Sequence, residues 1–420
     1  MQFMKYTRIT SSRGVSRLRF LIGSACLMIA AFTGVAAAQS PVAYVYVGEN
    51  ATQTPFNATS AFAASSDGKL TEIKGSPFTQ TTNIGYMLAT NGTHFIFVGP
   101  DPNNLEGLMK YLYSYKVEPD GGVGQQVSAI DTQLYGGADC TPDQGYSAPE
   151  GVEMDHTGQY LYVPYCTDAV QTYKIAKSGE LTFQNAAIYN NVDYGGGLPK
   201  LAGNSTFAYN QALGENYTYT FAAYARESDG SLVYAGIPTV TGPSLPEGDY
   251  PSFSGLITDD PTDHFAVMLQ IFRPSESGYC ALASYTVGSQ GHLTSTNNEN
   301  NMPALPDCGQ AMLLSPNGKF LVVLPNGQRS LQFFHFNGAD PITPLDNVIG
   351  KSGWFATMAW DSSNHLYVLN GLSGRLHVYT VSSSSVVEAS GSPYDVPFCG
   401  YDFQDQVEGC MQNLVVRSIP

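Results

Sequence analysis

Apolar and polar residues alternate along most of the chain, in short runs separated by small polar turns. The first clear example is residues 59–78, TSAFAASSDGKLTEIKGSPF, in which two alternating runs flank the turn SDGK. Side chains of a strand point to alternate faces, and glycine accepts the positive φ of a tight turn, so this segment predicts a β-hairpin. Equivalent turns recur around Gly121, Gly179, Gly230 and Gly291, and the successive intervals from Gly68 onward are 53, 58, 51 and 61 residues. Such repetition predicts an array of similar all-β units.

Each hairpin follows a second pair of alternating runs that is rich in Tyr, Phe and Val. Six such units begin near Tyr86, Val152, Leu201, Leu256, Ala311 and Thr357. The segment from Ala43 to Phe78 supplies only three strands, and the missing innermost strand is available as NLVVRSI, residues 413–419. Sharing one sheet between the two ends of the chain would close a ring without open sheet edges. We therefore predict an all-β fold, a seven-bladed β-propeller closed by pairing of the C-terminal strand with the N-terminal blade. Two separate β-sandwiches would need a linker near the middle, where the repetition is even.

Residues 1–38 predict a signal peptide. Basic residues precede an apolar run from Phe20 to Val35, and Ala36-Ala37-Ala38 offers an A-x-A cleavage site. The run is short for a spanning helix and lacks a basic stop-transfer flank, although an uncleaved anchor is the alternative. We expect a secreted or periplasmic propeller of residues 39–420 that is not inserted in a membrane.

The chain is acidic, with 19 basic and 35 acidic residues and a net charge of −16. Five of the basic residues lie in residues 1–38, so residues 39–420 carry 14 basic against 35 acidic side chains, a net charge of −21. Such a surface repels phosphate backbones and anionic lipids, so we expect no nucleic-acid partner and no membrane-surface partner.

Six cysteines remain after the predicted cleavage, and an even number in an exported chain favours disulfides. Their positions in the repeat predict three pairs on one face of the propeller: Cys140–Cys166, Cys280–Cys308 and Cys399–Cys410. No C-x-x-C pair occurs. Asp402, Asp405 and Glu408 could ligate Ca²⁺, but they lack the alternating spacing and the Gly of a calcium loop, so we interpret this segment as an exposed acidic loop. We expect no metal and no cofactor.

The strings YLYV, SPNGKFLVV, SDGKLTEIKGSPF and LVVRS resemble those of the lactonase-type seven-bladed propellers. This family includes bacterial 6-phosphogluconolactonase, the cyclic muconate-lactonizing enzymes and exported YVTN-type repeat proteins, and the resemblance covers all of residues 39–420. The resemblance implies a channel mouth formed by the loops that lead into each innermost strand. Family enzymes carry Pro-Arg-His before one of these strands and a further His before another. The closest match here is GLPKL, residues 197–201, where Lys200 replaces the Arg and Leu201 replaces the His.

Five residues are expected around the channel mouth by their position in the repeat, and they are the candidate ligand-binding residues: Glu150, Lys200, Tyr250, Gln310 and Trp354. The equivalent positions of His94, His264 and His365, at the start of second strands, predict structural or surface positions. The sequence contains no G-x-S-x-G motif and no histidine with a Ser or Cys partner at a recognisable spacing. Catalytic residues therefore stay unassigned.

Two functions follow from these observations. The first is a binding or scaffold module that holds a small molecule or protein at the channel mouth, without the His/Arg site of the family. The alternative is a sugar-lactone hydrolase in which Lys200 polarises the carbonyl and Glu150 guides water.

Overall fold

The alternating runs of the sequence form strands, nearly all paired antiparallel, in the computed structural model. The structure describes residues 40–419 apart from 51–56, 80–87, 102–103, 136–148, 150, 166–168, 189–199, 202–205, 214–218, 274–275, 306–307, 326–329, 351–354, 371–372 and 397–412. The predicted signal peptide lies outside the described residues. A 3₁₀ turn, Thr132–Leu134, is the single helical element in the described part of the chain. The prediction of an all-β fold is confirmed.

The described strands form seven sheets. The first sheet contains β1 (Ala43–Asn50), β2 (Asn57–Ala64), β3 (Leu70–Glu72), β4 (Phe78–Thr79) and, paired with β1, the last strand β32 (Asn413–Ser418). The second contains β5 (Leu88–Thr90), β6 (His94–Asp101), β7 (Asn104–Val117) and β8 (Val123–Asp131). The third contains β9 (Glu153–Met154), β10 (Tyr160–Tyr165), β11 (Ala169–Ile175) and β12 (Leu181–Ile188).

The remaining sheets continue the same order along the chain. The fourth contains β13 (Lys200–Leu201), β14 (Phe207–Leu213), β15 (Tyr219–Arg226) and β16 (Leu232–Gly236). The fifth contains β17 (Val240–Thr241), β18 (Tyr250–Asp259), β19 (His264–Arg273), β20 (Glu276–Val287), β21 (Leu293–Thr294) and β22 (Ala304–Leu305). The sixth contains β23 (Gly309–Leu314), β24 (Phe320–Pro325), β25 (Ser330–His335) and β26 (Thr343–Gly350). The seventh contains β27 (Phe355–Trp360), β28 (His365–Asn370), β29 (Arg375–Val381), β30 (Val386–Glu388) and β31 (Tyr394–Asp395).

One strand at the edge of each sheet faces the corresponding strand of the next sheet, and we call these the leading strands: β32, β5, β9, β13, β18, β23 and β27. Contacts between leading strands join β13 to β18, β18 to β23, β23 to β27, β27 to β32, β32 to β5 and β5 to β9. The leading end of the sheets is the end at which β18, β23 and β27 begin. The hairpin end is the opposite one, which carries the tight turns.

Apolar side chains fill the spaces between consecutive sheets. Six buried clusters among the described residues each combine residues of two sheets that follow one another in the chain, from the first and second sheets onward. The seventh cluster packs Tyr367 and Val378 of the last sheet against Val45, Phe62 and Leu414 of the first. Alternation along each strand therefore supplies both faces of every sheet with apolar residues, as burial on two sides requires.

A glycine in the hairpin turn of one sheet lies against a planar side chain at the start of the second strand of the preceding sheet. The pairs are Gly68 with His365, Gly121 with Tyr44, Gly179 with His94, Gly230 with Tyr160, Gly291 with Phe207 and Gly338 with His264. Any larger side chain at Gly230 would overlap the Tyr160 ring, and its φ of +85° is one that L-residues avoid. The glycine-containing turns repeat in the sequence because, in these six pairs, the turn of one sheet lies in contact with a ring of the preceding sheet.

Tyrosine hydroxyls reinforce three of these contacts. Tyr46 donates to the carbonyl of Gly121 at 2.9 Å, Tyr162 to Gly230 at 3.0 Å and Tyr209 to Gly291 at 2.8 Å. All three tyrosines are buried, and burial raises the pKa of Tyr162 to about 12. These phenols are therefore neutral donors at any physiological pH.

The histidines at the starts of β6, β19 and β28 have a structural role, which is one of the two alternatives that the sequence left open. His365 is 1 % exposed and its Nδ1 lies 2.7 Å from Oδ2 of Asp361, a carboxylate that also accepts from the Tyr367 hydroxyl. His264 makes the corresponding contact with Asp260. In both cases a carboxylate of the turn orients the histidine ring against which the turn glycine of the next sheet packs.

Two features of the fifth sheet differ from the sequence prediction. β18 begins at Tyr250, whereas the pattern placed the start of the unit near Leu256. The segment YPSFSG resembles a loop, but Pro251 sits in a leading strand that pairs only with β19, so its missing N–H removes no bond from a central ladder. The two-residue β17 pairs in parallel with β21 and was not predicted, because two residues carry no periodicity.

Replacing Gly230 with Ala should destabilise the protein more than the same change at Gly236. Both glycines have positive φ, +85° and +103°, but a methyl group at Gly230 would meet Tyr160 whereas one at Gly236 would meet nothing within 4 Å. The difference in free energy of unfolding should be about 1–3 kcal/mol, the usual cost of overpacking. Urea unfolding of the two variants measures it, and equal losses would contradict the proposed close contact between sheets.

Replacing His94 with Phe should flatten the dependence of stability on pH. Burial is the main cause that lowers the pKa of His94 below its usual value. A hydrogen bond with the backbone of Ser178 acts in the opposite sense, and the charge of the nearby Lys116 adds a smaller lowering effect. The unfolded chain then binds the proton more readily, so stability falls as pH drops below about 6.5. Phe207 occupies the equivalent position in the fourth sheet, so a phenyl ring fits such a site.

The melting temperature of the His94→Phe variant should therefore fall less than that of the parent between about pH 7.5 and about pH 5. The exposed His292, replaced by Gln, is the matched control and should leave the slope unchanged. A His94→Phe slope equal to that of the parent would rule out this source of acid sensitivity.

Candidate functional site

Three of the five predicted ligand-binding residues lie in described strands at the leading end. Tyr250 opens β18 and is 52 % exposed. Gln310 is exposed in β23, at an irregular position between Gly309 and Ala311. The backbone of Lys200 opens β13 opposite Tyr209. Glu150 and Trp354 lie outside the described residues, so their predicted place at the channel mouth stays a prediction.

Tyr250 forms an exposed aromatic surface at the leading end of the fifth sheet. Its ring stacks on that of Phe272, the residue opposite it in β19, with ring centroids 5.3 Å apart and planes inclined by 16°. Phe272 is half-buried, while Tyr250 stays open to solvent. Tyrosine combines an apolar ring with a polar hydroxyl and is enriched at binding interfaces.

Arg273 lies beside this pair, held by two carboxylates. Its Nε is 3.1 Å from Oδ2 of Asp249, and its Nη2 contacts Oε1 of Glu299. The guanidinium also lies 4.7 Å from the centroid of the Tyr279 ring. Two carboxylates and one guanidinium leave a local charge of −1, and all three groups retain some exposure, at 27 % for Arg273, 11 % for Asp249 and 34 % for Glu299.

Burial raises the pKa of the Tyr279 phenol, and the opposing effect of Arg273 does not cancel it. The leading end of the fifth sheet therefore combines an open aromatic ring, a neutral phenol, a fixed guanidinium and two carboxylates. This set can accept and donate hydrogen bonds in fixed directions next to an apolar face. We call it the Tyr250 cluster.

The second sheet repeats part of this arrangement at its own leading end. Lys110 Nζ lies 3.2 Å from Oδ2 of Asp131 and 3.5 Å from Oδ2 of Asp101, and 5.5 Å from the centroid of the Tyr111 ring. Burial acts to lower the pKa of Lys110, but the hydrogen bond and the charge of Asp131 and the charge of Asp101 outweigh it, so the pKa is raised. Lys110 is therefore a charged lysine paired with two carboxylates at this end, just as Arg273 is paired with two.

A disulfide joins the fifth and sixth sheets near the Tyr250 cluster. Cys280 of β20 is bonded to Cys308, which directly precedes β23, and their Cα atoms are 5.3 Å apart. This pairing confirms one of the three predicted disulfides. Cys140, Cys166, Cys399 and Cys410 lie outside the described residues, so the other two pairs stay predictions.

The Asp249, Arg273 and Glu299 side chains were not identified from the sequence. They lie at the end of three separate segments, and Arg273 comes 24 residues after Asp249 and 26 before Glu299. No spacing rule links such positions, because the contact depends on how β18, β19 and the chain after β21 lie together. The segment EGDY, which ends in the predicted Tyr250, was the one available signal.

The described residues contain no group of three or more His, Cys, Asp or Glu side chains that could hold a metal ion. Within the same part of the chain, no helix has the length and apolar character needed to cross a membrane.

No protein-family model and no curated protein matches this chain. Solved structures do match. One is a protein from Bacteroides fragilis proposed to be a 6-phosphogluconolactonase, with 9 % identity, a TM-score of 0.56 and coverage of 91 % of this chain and 99 % of that one. A protein from Lactobacillus plantarum has 14 % identity and a TM-score of 0.60, with 90 % and 99 % covered. The periplasmic gluconolactonase of Pseudomonas aeruginosa has 15 % identity and a TM-score of 0.52, with 84 % and 98 % covered.

The chain has a lactonase-like β-propeller fold. At identities of 9 to 15 %, the likeness shows the fold and carries no activity with it. The resemblance found in the sequence strings is thus correct at the level of the propeller, and the function depends on the site.

Proposed function

We propose that this protein is an exported binding module that holds a neutral, polyhydroxylated small molecule at the Tyr250 cluster. The observation that carries the proposal is the exposed Tyr250 ring beside a guanidinium fixed by two carboxylates. The C–H face of a sugar ring can pack on an open aromatic ring. Its hydroxyl groups can donate to Asp249 and Glu299 and accept from Arg273.

The charge of the cluster supports a neutral ligand over an anionic one. Arg273 is already paired with two carboxylates, and the whole chain carries a net charge of −16. An anion approaching the cluster would be repelled by its negative potential, whereas a neutral ligand would not be repelled. Sugars and sugar lactones fit this description, and a phosphorylated lactone fits it less well.

Export is part of the proposal. Residues 1–38 have the features of a signal peptide, and the Cys280–Cys308 disulfide is of the kind that persists in oxidising compartments. The similarity in fold to a periplasmic gluconolactonase is consistent with the same location.

The alternative function is hydrolysis of a sugar lactone. This reaction needs one group that stabilises the developing oxyanion and another that directs water. Lys200 and Glu150 are the candidates for these roles, and Leu201 stands where the family has its His. Because the family's Arg-His pair is replaced at both positions, binding without turnover is the function that we favour.

Replacing Tyr250 with Ala should weaken binding of a neutral sugar or of δ-gluconolactone about threefold to tenfold, since the aromatic face is lost while the polar groups remain. Val387, 57 % exposed in the outer strand β30 of another sheet, is the matched control when replaced with Ala. Isothermal titration calorimetry of the purified parent and both variants gives the dissociation constants. Equal affinity of the parent and Tyr250→Ala proteins would refute the proposed site.

The same preparations decide between binding and hydrolysis. We expect no turnover of δ-gluconolactone or 6-phosphogluconolactone above the background rate in a pH-stat assay. Turnover that disappears in a Lys200→Ala variant would replace the binding function with the hydrolase function.

We propose further that the seven sheets are seven blades of one ring, closed by β32. Support comes from the antiparallel pairing of β32 with β1 over residues 413–418, the contacts of β32 with both β27 and β5, and the apolar cluster between the last and first sheets. Leu414 is 8 % exposed within that cluster.

A protein truncated after Gln412 should lose several kcal/mol of stability, because it exposes the edge of β1 and the apolar residues that β32 covers. A protein lacking only Pro420 is the control and should melt like the parent. Thermal unfolding followed by circular dichroism compares them, and a truncated protein that melts like the parent would show that β32 does not close the ring.

A further inference from the structure

A cavity of about 290 Å³ lies at the hairpin end, opposite the Tyr250 cluster. Three segments line it: Thr90–Gly92 between β5 and β6, Met154–Gly158 between β9 and β10, and Val416–Ser418 at the end of β32. The cavity therefore sits where the leading strands of three sheets end. Nothing in the sequence pattern singled out these residues as a site.

Arg417 supplies the distinctive chemistry of this cavity. Its guanidinium lies 5.5 Å from the centroid of the Tyr44 ring, and its Nη1 atom is buried without a hydrogen-bond partner among the described residues. No carboxylate in the described part of the chain pairs with it. Other cations differ in this respect, since Arg226 pairs with Asp155 at 3.0 Å and Arg375 with Asp395 at 3.3 Å. A buried N–H of a guanidinium calls for an acceptor.

The one carboxylate in the described lining of the cavity, that of Asp155, is already paired. Asp155 accepts from Arg226, from the Thr157 hydroxyl at 2.6 Å and from the backbone N–H groups of Gln159 and Tyr160. His156 Nε2 lies 3.1 Å from Oδ2 of Asp259. Arg417 is thus the one formal charge of the described lining without a described counter-charge, and the local demand is for a single negative charge.

We propose that this cavity binds a small hydroxy-carboxylate as a monoanion, with the carboxylate on Arg417. The planar guanidinium matches the two oxygens of a carboxylate. A phosphate dianion suits the site less well, because Asp155 and Asp259 lie near it and only one positive charge is free to meet it. Ser418 also lines the cavity, and its hydroxyl, which accepts from the N–H of Ser362 at 2.8 Å, keeps its own proton to donate to a ligand hydroxyl group.

The test is isothermal titration calorimetry, in which the full mature chain is titrated separately with D-gluconate, acetate and inorganic phosphate. The parent should bind gluconate more tightly than acetate and both more tightly than phosphate. Arg417→Gln should weaken gluconate binding about 10- to 100-fold, the usual effect of losing a charge-assisted pair. Arg375→Gln removes an exposed arginine at the leading end and is the matched control, which should bind as the parent does.

Arg417 also packs on Tyr44, so the Gln variant could fail to fold; Arg417→Lys keeps the charge and the aliphatic stem. It should bind gluconate about tenfold more weakly than the parent, because lysine lacks the bidentate fork.

Tyr250→Ala should leave gluconate binding unchanged, which separates this site from the Tyr250 cluster. Two results with the parent would overturn the proposal: no binding of either carboxylate, or tighter binding of phosphate than of gluconate. Two results with variants would also overturn it: Arg417 variants that bind gluconate as the parent does, or loss of gluconate binding in Tyr250→Ala.

Discussion

The close approach of a turn glycine to a planar ring of the neighbouring sheet is the constraint on which this fold depends. It sets the distance between sheets, and it is repeated from Gly68 on His365 to Gly338 on His264. In these six pairs the ring varies among His, Tyr and Phe, whereas the turn residue is always glycine, because the backbone of the turn has to come within contact distance of the ring. The Asp361 carboxylate beneath His365 and the Tyr162 hydroxyl on Gly230 then fix the ring and the turn against each other.

The two ends of the sheets differ in whether all of the cationic side chains described above are paired with carboxylates. At the leading end, Lys110 and Arg273 are each held by two carboxylates, so in an acidic protein these cations stabilise local structure and leave no surplus positive charge. At the hairpin end, Arg226 is paired with Asp155, but Arg417 packs on Tyr44 without a described carboxylate partner. The same kind of side chain therefore serves different purposes at the two ends: a neutral ligand suits one and a monoanion suits the other.

The repeat of the sequence predicted the strands, the turns and the structural histidines because all of these depend on local spacing. Each starting position except that of β18 fell within two residues of the predicted one, and β18 was missed because Pro251 is tolerated only in a strand without a partner on one side. Tyr250 was found from its place in the repeat. Asp249, Arg273, Glu299 and Arg417 were not found, because their contacts arise from tertiary packing between segments that no periodicity connects.

The pairing of β1 with β32 joins Ala43 to Ser418, so two strands of one sheet are separated by 375 positions of sequence. Most other pairs in the structure are local hairpins that can form as soon as their residues are available. A chain that emerges from its N-terminus would thus carry an unsatisfied strand edge in its first sheet until almost the whole sequence has appeared. The residues most exposed to wrong partners during folding are those of β1, and this late step closes the longest loop among the described strand pairings.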